Sequence, residues 1–352
     1  MAKSRSARTS RTSRAVPKLD HAKVDREIGA FWTWWKTARR KIERALAAQE
    51  LGPLDAEITA KVRAIDPGLK WELGPGDAGK LAFALVWDGD LPRRRLTERW
   101  RLRAPAKDKT WAFCAARPAG KDWESLVMEL GPHKIDFGKF VCTFTVDETR
   151  ERVDAEIFHP VLAKAPENVR GTASFVMLDH AFGEDGVERW LGGIELVTKK
   201  PRGAKPISDL VKTVRKLARK AKGEVFALYQ GTHDDLPIFI MKNEALKPIE
   251  HLACDAQLEI ALGIEEANDA GLPTKKESLA LDKLEDGLLA ALGENVAYFG
   301  RQTHAGRRTL YFFAAQGGKA AKLVTQWAKK QKRVVSLTWT PDPSWDGLGR
   351  WS

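Results

Sequence analysis

The order of apolar patterns after Gln257 constrains the fold more than any other feature. Strand-like alternation at residues 257–262 precedes an amphipathic helix at 277–292, and two further strand-like runs flank a turn at Gly306. A second helical segment at 318–330 and a closing strand at 334–339 complete the order β-α-β-β-α-β. That order is typical of a ferredoxin-like sandwich. We therefore predict an α+β C-terminal domain of this kind, within residues 223–352.

The 352-residue chain is long enough for at least two cores. Residues 19–198 mix helical and strand-like segments, which predicts an N-terminal α+β domain with a mainly antiparallel sheet. Its first segment, 20–50, has apolar residues at helical spacing and ends at Gly52-Pro53. The aromatic residues Phe31, Trp32, Trp34 and Trp35 either stack on bases or anchor this helix, and we favour the anchor.

The net charge of +12 is concentrated in two segments. Residues 1–18 are basic and Ser/Thr-rich, which predicts a disordered tail. Residues 199–222 predict a basic connector followed by an amphipathic helix. A cationic helix face is either merely solvated, which we favour, or binds nucleic acid or an acidic surface. The candidate nucleic-acid contacts are Arg5, Arg8, Arg11, Arg14, Lys212, Arg215, Lys216 and Arg219.

The lengths of the apolar runs and the spacing of the cysteines indicate the cellular location of the protein. The sequence has no run near the roughly 20 apolar residues that span a bilayer, and the N-terminus has no signal-peptide pattern. Cys114, Cys142 and Cys254 are scattered, which argues against a disulfide framework or a zinc cluster. We expect a cytoplasmic protein without membrane contact.

A search for catalytic motifs supports no reaction. The sequence has neither an H-E-x-x-H helix nor a G-x-S-x-G elbow, and the glycines at 74–79 lack a Lys-Ser/Thr ending. Two acidic segments and one turn histidine are weak metal or base candidates, and we read them as surface residues: Asp179-His180 with Glu184-Asp185, His233-Asp234-Asp235, and His304. We predict no catalytic residues, no metal site and no cofactor, and therefore no enzyme.

A set of turn and core residues carries a family resemblance: Gly271, Leu272, Pro273, Gly300, Thr303, Gly306, Arg307, Tyr311 and Trp345. With these residues, the last ninety or so positions resemble the bacterial family of unknown function DUF695, related in fold to the regulator B of ribonuclease E activity. The region upstream is loosely similar to uncharacterised bacterial proteins that carry such a domain. The resemblance implies a small domain that acts through protein contacts, without established catalytic residues.

Three functions follow from these observations. The leading hypothesis is a binding or regulatory protein whose C-terminal sandwich contacts another protein. The alternatives are a nucleic-acid-associated protein that uses the tail and connector helix, and an immunity-type protein that neutralises a toxin. Trp339, Trp345 and Trp351 either pack over the sheet or form an exposed interaction patch.

Overall fold

The computed structural model describes residues 20–76, 80–106 and 108–351. The chain is a mixed α+β protein that divides into two compact units. The first comprises the described residues through Asp147 together with Arg152–Lys220, and the second comprises Glu148–Glu151 and the residues from Ala221. Within the described ranges, no helix is both long and apolar enough to cross a membrane.

The first core of the first unit contains three helices and a three-stranded sheet. These elements are α1 (His21–Ala47), α2 (Pro53–Ile65), β1 (Lys70–Pro75), β2 (Leu81–Val86), α3 (Leu91–Leu102) and β3 (Trp111–Cys114). The Asp20 carboxylate accepts the backbone N–H of Lys23 and starts α1, as N-cap residues do. Strands β1 and β2 are antiparallel, whereas β2 and β3 are parallel.

Aromatic side chains dominate this core. The α1 residues Phe31, Trp32 and Trp35 are buried, which confirms that the aromatic cluster anchors the helix. Trp32 stacks on Trp100 at 4.9 Å between ring centroids and donates Nε1–H to its carbonyl oxygen at 3.0 Å. Trp35 meets Trp111 edge-on at 4.9 Å.

The second core of the first unit is built from six strands and three helices. They are β4 (Val127–Leu130), β5 (His133–Asp136), β6 (Val141–Asp147), β7 (Arg152–Phe158), α4 (Glu167–Phe182), α5 (Glu184–Trp190), β8 (Leu191–Leu196), β9 (Lys205–Pro206) and α6 (Ile207–Ala218). Strands β4 and β5 form a hairpin, and the other four have the order β8-β7-β6-β9, with β7 and β8 parallel. The expectation of a single N-terminal sheet is therefore wrong, because the described strands of this unit form three sheets. Four of their six pairings are antiparallel, which agrees with the expected mainly antiparallel character.

Helix α6 lies in the segment that we predicted as a connector. Its apolar stripe, formed by Ile207, Leu210, Val211, Val214 and Leu217, is buried in the second core. The amphipathic pattern thus packs against β6, β7, β9 and α4 of the first unit. The two units divide after Lys220.

The second unit is organised around one six-stranded sheet. Its elements are β10 (Phe226–His233), β11 (Leu236–Asn243), β12 (Ala256–Gly263), α7 (Lys275–Leu292), β13 (Val296–His304), β14 (Arg307–Ala314), α8 (Lys319–Ala328) and β15 (Val335–Pro341). The strand order is β10-β11-β13-β14-β12-β15, and every pairing is antiparallel. The predicted order β-α-β-β-α-β from β12 to β15 agrees with these elements.

The two faces of this sheet pack against different segments, because successive side chains of a strand point to opposite faces. One face places Leu258 and Ile260 of β12 and Phe312 of β14, all buried, in a core with α7 and α8. On the other face, Trp345 stacks on Phe313 of β14 at 3.9 Å between ring centroids. The part of the sheet around β12 and β14 is therefore covered by the two helices on one side and by the C-terminal segment on the other.

The C-terminal tryptophans divide between the two faces. Trp345 is buried and donates Nε1–H to the carbonyl oxygen of Cys254 at 2.7 Å, and Trp351 stacks on Phe299 at 4.7 Å. Trp339 of β15 packs, partly buried, against the core that contains α7 and α8. All three therefore pack on the sheet of their own unit, which is the first of the two readings considered from the sequence.

Candidate functional site

Two glycines of the resemblance set, Gly271 and Gly300, allow close backbone packing. Gly271 has φ of +72°, and its carbonyl oxygen accepts the backbone N–H of Gly306 at 2.8 Å. A Cβ atom at Gly271 would lie 2.8 Å from that same nitrogen. Gly271 therefore allows the loop before α7 to contact the β13–β14 turn, a position that only glycine fits without strain.

Gly300 forms a bulge in β13. The register against β14 shifts between Tyr298 and Gly300, and the φ of Gly300 is +149°. A Cβ atom there would lie 2.1 Å from the carbonyl oxygen of Met241 in the neighbouring strand β11. The glycine thus lets β11 pair closely with the bulged strand.

A buried ionic network lies between α7 and the sheet. Glu285 accepts hydrogen bonds from the Tyr298 hydroxyl and from Arg301 Nη1, both at 2.6 Å. Arg308, also buried, donates to Asp282 at 2.6 Å. Burial raises the pKa of the Tyr298 hydroxyl, and the Glu285 carboxylate adds to that shift. These contacts pair the charged groups with one another inside the unit, so the network has a structural role.

Most of the remaining residues of the resemblance set also occupy structural positions. Pro273 forms an isolated bridge with Ala267, and the backbone N–H of Leu272 donates to the Asn268 side chain at 2.9 Å. Thr303 is buried, and its hydroxyl oxygen lies 3.4 Å from Arg308 Nε. Tyr311 is buried under the Arg350 guanidinium, and Arg307 is exposed.

Two hairpin tips bring together histidines that are far apart in the sequence. His233 ends β10 and His304 ends β13, and a two-residue turn with positive φ at both positions follows each of them. Because Ile238 of β11 pairs with His304, the two tips lie at the same end of the sheet. The rings are 5.3 Å apart. One ligand atom from each of His233, Asp234 and His304 lies within 4.8 Å of the others.

In the sequence, His233 and His304 were weak candidates in two separate segments, and their proximity was not predicted. Their proximity depends on the pairing of β11 with β13, which residue spacing does not reveal. The available signal was that each histidine precedes a short turn between two strand-like runs.

Strand β10 forms one edge of the sheet, and among the described strands it pairs with β11 alone. Leu228 is 71% exposed, and Phe226 and Tyr229 are also exposed. No charged residue or proline occurs in residues 226–232. Natural edge strands usually carry such residues, or a bulge, to prevent pairing with other chains. The strand is therefore a candidate surface for pairing, which we did not predict from the sequence.

The acidic residues near α5 have structural partners. The Glu184 carboxylate accepts backbone N–H groups of Trp87, Asp88 and Arg117 at 2.9–3.2 Å. Asp179 pairs with Arg117 at 3.0 Å, and Asp185 pairs with Arg94 at 2.8 Å.

Burial governs the titration of this acidic group. It raises the pKa of Asp179 to about 7, although Arg117 opposes the shift, and it raises the pKa of Glu184 to about 7. Burial also lowers the pKa of the neighbouring His180. The reading of this segment as surface residues is therefore wrong, because Glu184 is buried and Asp179 is partly buried. The partners described for Asp179, Glu184 and Asp185 give these carboxylates structural roles.

The candidate nucleic-acid contacts separate into two groups. Lys212, Arg215 and Lys216 of α6 and Arg219, its C-cap residue, are exposed, opposite the buried stripe of the helix. Lys212 pairs with Asp209 at 3.1 Å. Arg5, Arg8, Arg11 and Arg14, together with the predicted disordered tail at 1–18, lie outside the described residues.

Comparisons with known proteins bear on the second unit. No curated protein and no solved structure matches the chain. A family model does match, over a range that begins with β10 and includes both hairpin tips and Trp345. Residues 226–348 are similar to the family of unknown function DUF695.

Proposed function

We propose that the second unit is a protein-binding module whose edge strand β10 pairs with an extended segment of a partner protein. The observation that carries the proposal is an eight-residue edge strand with exposed apolar side chains and none of the usual protecting residues. An added strand obtains affinity from main-chain hydrogen bonds and specificity from alternate side chains.

The side chains of β10 indicate the chemistry of the partner. Phe226 and Leu228 lie on one face, and Tyr229 lies on the other, because side chains alternate along a strand. A partner strand with apolar residues at alternate positions would cover Leu228 and extend the apolar surface. Since residues 226–232 carry no charge, binding should depend only weakly on salt.

Selection of peptides on the full chain tests this proposal. Random displayed peptides long enough to span β10 would be selected for binding to the parent chain. The affinity of each selected peptide would then be measured for the parent chain and for the Leu228→Lys variant. A lysine on an edge strand opposes strand addition. Leu279→Lys on α7 is the matched control, because Leu279 is 63% exposed in the same unit.

We expect the selected peptides to have alternating apolar residues and to bind the parent chain and the Leu279→Lys variant equally well. Their affinity for Leu228→Lys should be at least about tenfold lower, which corresponds to roughly 1.4 kcal/mol. Equal binding to both variants, or no selected peptide, would contradict the proposal. A concentration-dependent dimer that Leu228→Lys disrupts would instead assign the edge to a second copy of the chain.

The topology of the second unit supports a ferredoxin-like assignment for the part from β12 to β15. The strands have the order β13-β14-β12-β15, and α7 and α8 contribute to one core on the sheet. We include in the same proposal that this part is related to the regulator B of ribonuclease E activity. The proposed role of the protein is regulatory, in the cytoplasm, and without catalysis. Cys114, Cys142 and Cys254 are scattered along the sequence without the spacing of a disulfide framework, which fits a reducing compartment.

Nucleic-acid binding through α6 is a second candidate function. It is favoured by the exposure of Lys212, Arg215, Lys216 and Arg219 on one side of the helix. Replacing these four residues by glutamine should weaken binding to RNA or DNA and flatten its dependence on salt. Unchanged affinity and salt slope would contradict this candidate.

A further inference from the structure

We propose that the tips of the β10–β11 and β13–β14 hairpins bind one divalent transition-metal ion, with Zn²⁺ as the test ion, through His233, Asp234 and His304. Imidazole nitrogen and carboxylate oxygen are ligands that zinc accepts. Within the described part of the chain, these three residues form a cluster whose ligand atoms lie within 4.8 Å of one another. This proposal does not depend on peptide binding at β10.

The separation of two ligand atoms fits a shared ion. His233 Nε2 lies 3.5 Å from Asp234 Oδ2. Two ligands at about 2.1 Å from a tetrahedral zinc ion are roughly 3.4 Å apart. The same distance also fits an ion pair between a protonated His233 and Asp234, and zinc titration separates the two cases.

The hydrogen bond of His304 prepares its ring for a metal. His304 Nδ1 lies 3.2 Å from the carbonyl oxygen of Pro237. A carbonyl oxygen only accepts, so this hydrogen bond selects the tautomer of the neutral ring with the proton on Nδ1, which leaves the lone pair on Nε2. Metal-binding histidines are commonly oriented by such a bond from the other ring nitrogen.

The three residues leave room for solvent at the ion. The side chains of His233 and Asp234 are 63% and 83% exposed. Three protein ligands leave one position of a tetrahedral ion for water, so the site differs from a closed four-ligand structural zinc site.

Calorimetric titration of the full, tag-free chain with Zn²⁺ tests the site. The variants are His233→Ala, His304→Gln and Asp234→Asn. Asp235→Asn is the matched control, because Asp234 and Asp235 both have positive φ, which asparagine tolerates. Thermal melting of each metal-free variant checks that it folds.

We expect one equivalent of zinc, with affinity reduced about 100-fold by each cluster substitution and unchanged by Asp235→Asn. Cobalt substitution should give a visible absorption band that is lost in the same three variants. Absence of binding, or binding that His233→Ala and His304→Gln leave unchanged, would overturn the proposal. The latter result would assign the ion to another site.

Discussion

The backbone N–H of Gly306 donates to the carbonyl oxygen of Gly271 at 2.8 Å, which joins the loop before α7 to the β13–β14 turn. Two members of the resemblance set therefore contact each other directly. The contact positions the turn that follows His304, so the packing of one hairpin tip depends on a glycine in a distant loop.

Gly271→Ala should destabilise the second unit by about 2–4 kcal/mol, because it combines a positive φ with a close backbone contact. Denaturant unfolding of the full chain measures the change. Gly293→Ala is the control, since Gly293 has φ of +49° but no atom within 4 Å of the added Cβ. That variant should lose only about 1 kcal/mol. Equal losses would show that the contact with Gly306 contributes little.

Glu285→Leu should destabilise the chain by about 3–5 kcal/mol, because it removes the carboxylate that partners the partly buried Arg301 and the Tyr298 hydroxyl. Asp286→Ala, an exposed position on the same helix, should change the free energy of unfolding by less than about 0.5 kcal/mol. Urea denaturation compares the two. A Glu285→Leu loss no larger than that of Asp286→Ala would contradict the role of the network.

Asp179→Asn should become more stable relative to the parent chain as pH rises from 5 to 8. The folded-state pKa of Asp179 is raised to about 7, so protonation favours the folded state and that stabilisation is lost as pH rises through 7. Asparagine does not titrate, and the relative gain should be roughly 2–3 kcal/mol. Urea unfolding of both proteins at pH 5 and at pH 8 measures this difference in the free energy of unfolding. A pH-independent difference would contradict the raised pKa.

The Glu277 carboxylate is expected to change stability with pH in the opposite direction to Asp179. Burial alone would raise its pKa, but hydrogen bonds from Arg333 and the backbone N–H of Glu265 lower it overall. Its stabilisation is therefore present above the ordinary carboxyl pKa and is lost in acid. The cost of Glu277→Gln, measured by urea unfolding across the acid range, should shrink as pH falls below about 4. A cost that stays constant into acid would contradict the lowered pKa.

The elements after Gln257 were predictable because their apolar patterns are strong and their lengths are ordinary. Strand β5 and helix α5 were not predicted, since His133–Asp136 has one apolar residue and Glu184–Trp190 spans only two turns. The proximity of His233 to His304 follows from strand register, and the exposure of Leu228 follows from strand order. Neither property is local in the sequence.

Hydrogen exchange of the full chain, with and without a selected peptide, tests the central claim most directly. Pairing along β10 predicts slower exchange of amides within residues 226–233 and little change in α7, which includes Leu279. Protection that is confined to other segments, or absent from β10 at saturating peptide, would contradict the edge strand as the binding surface.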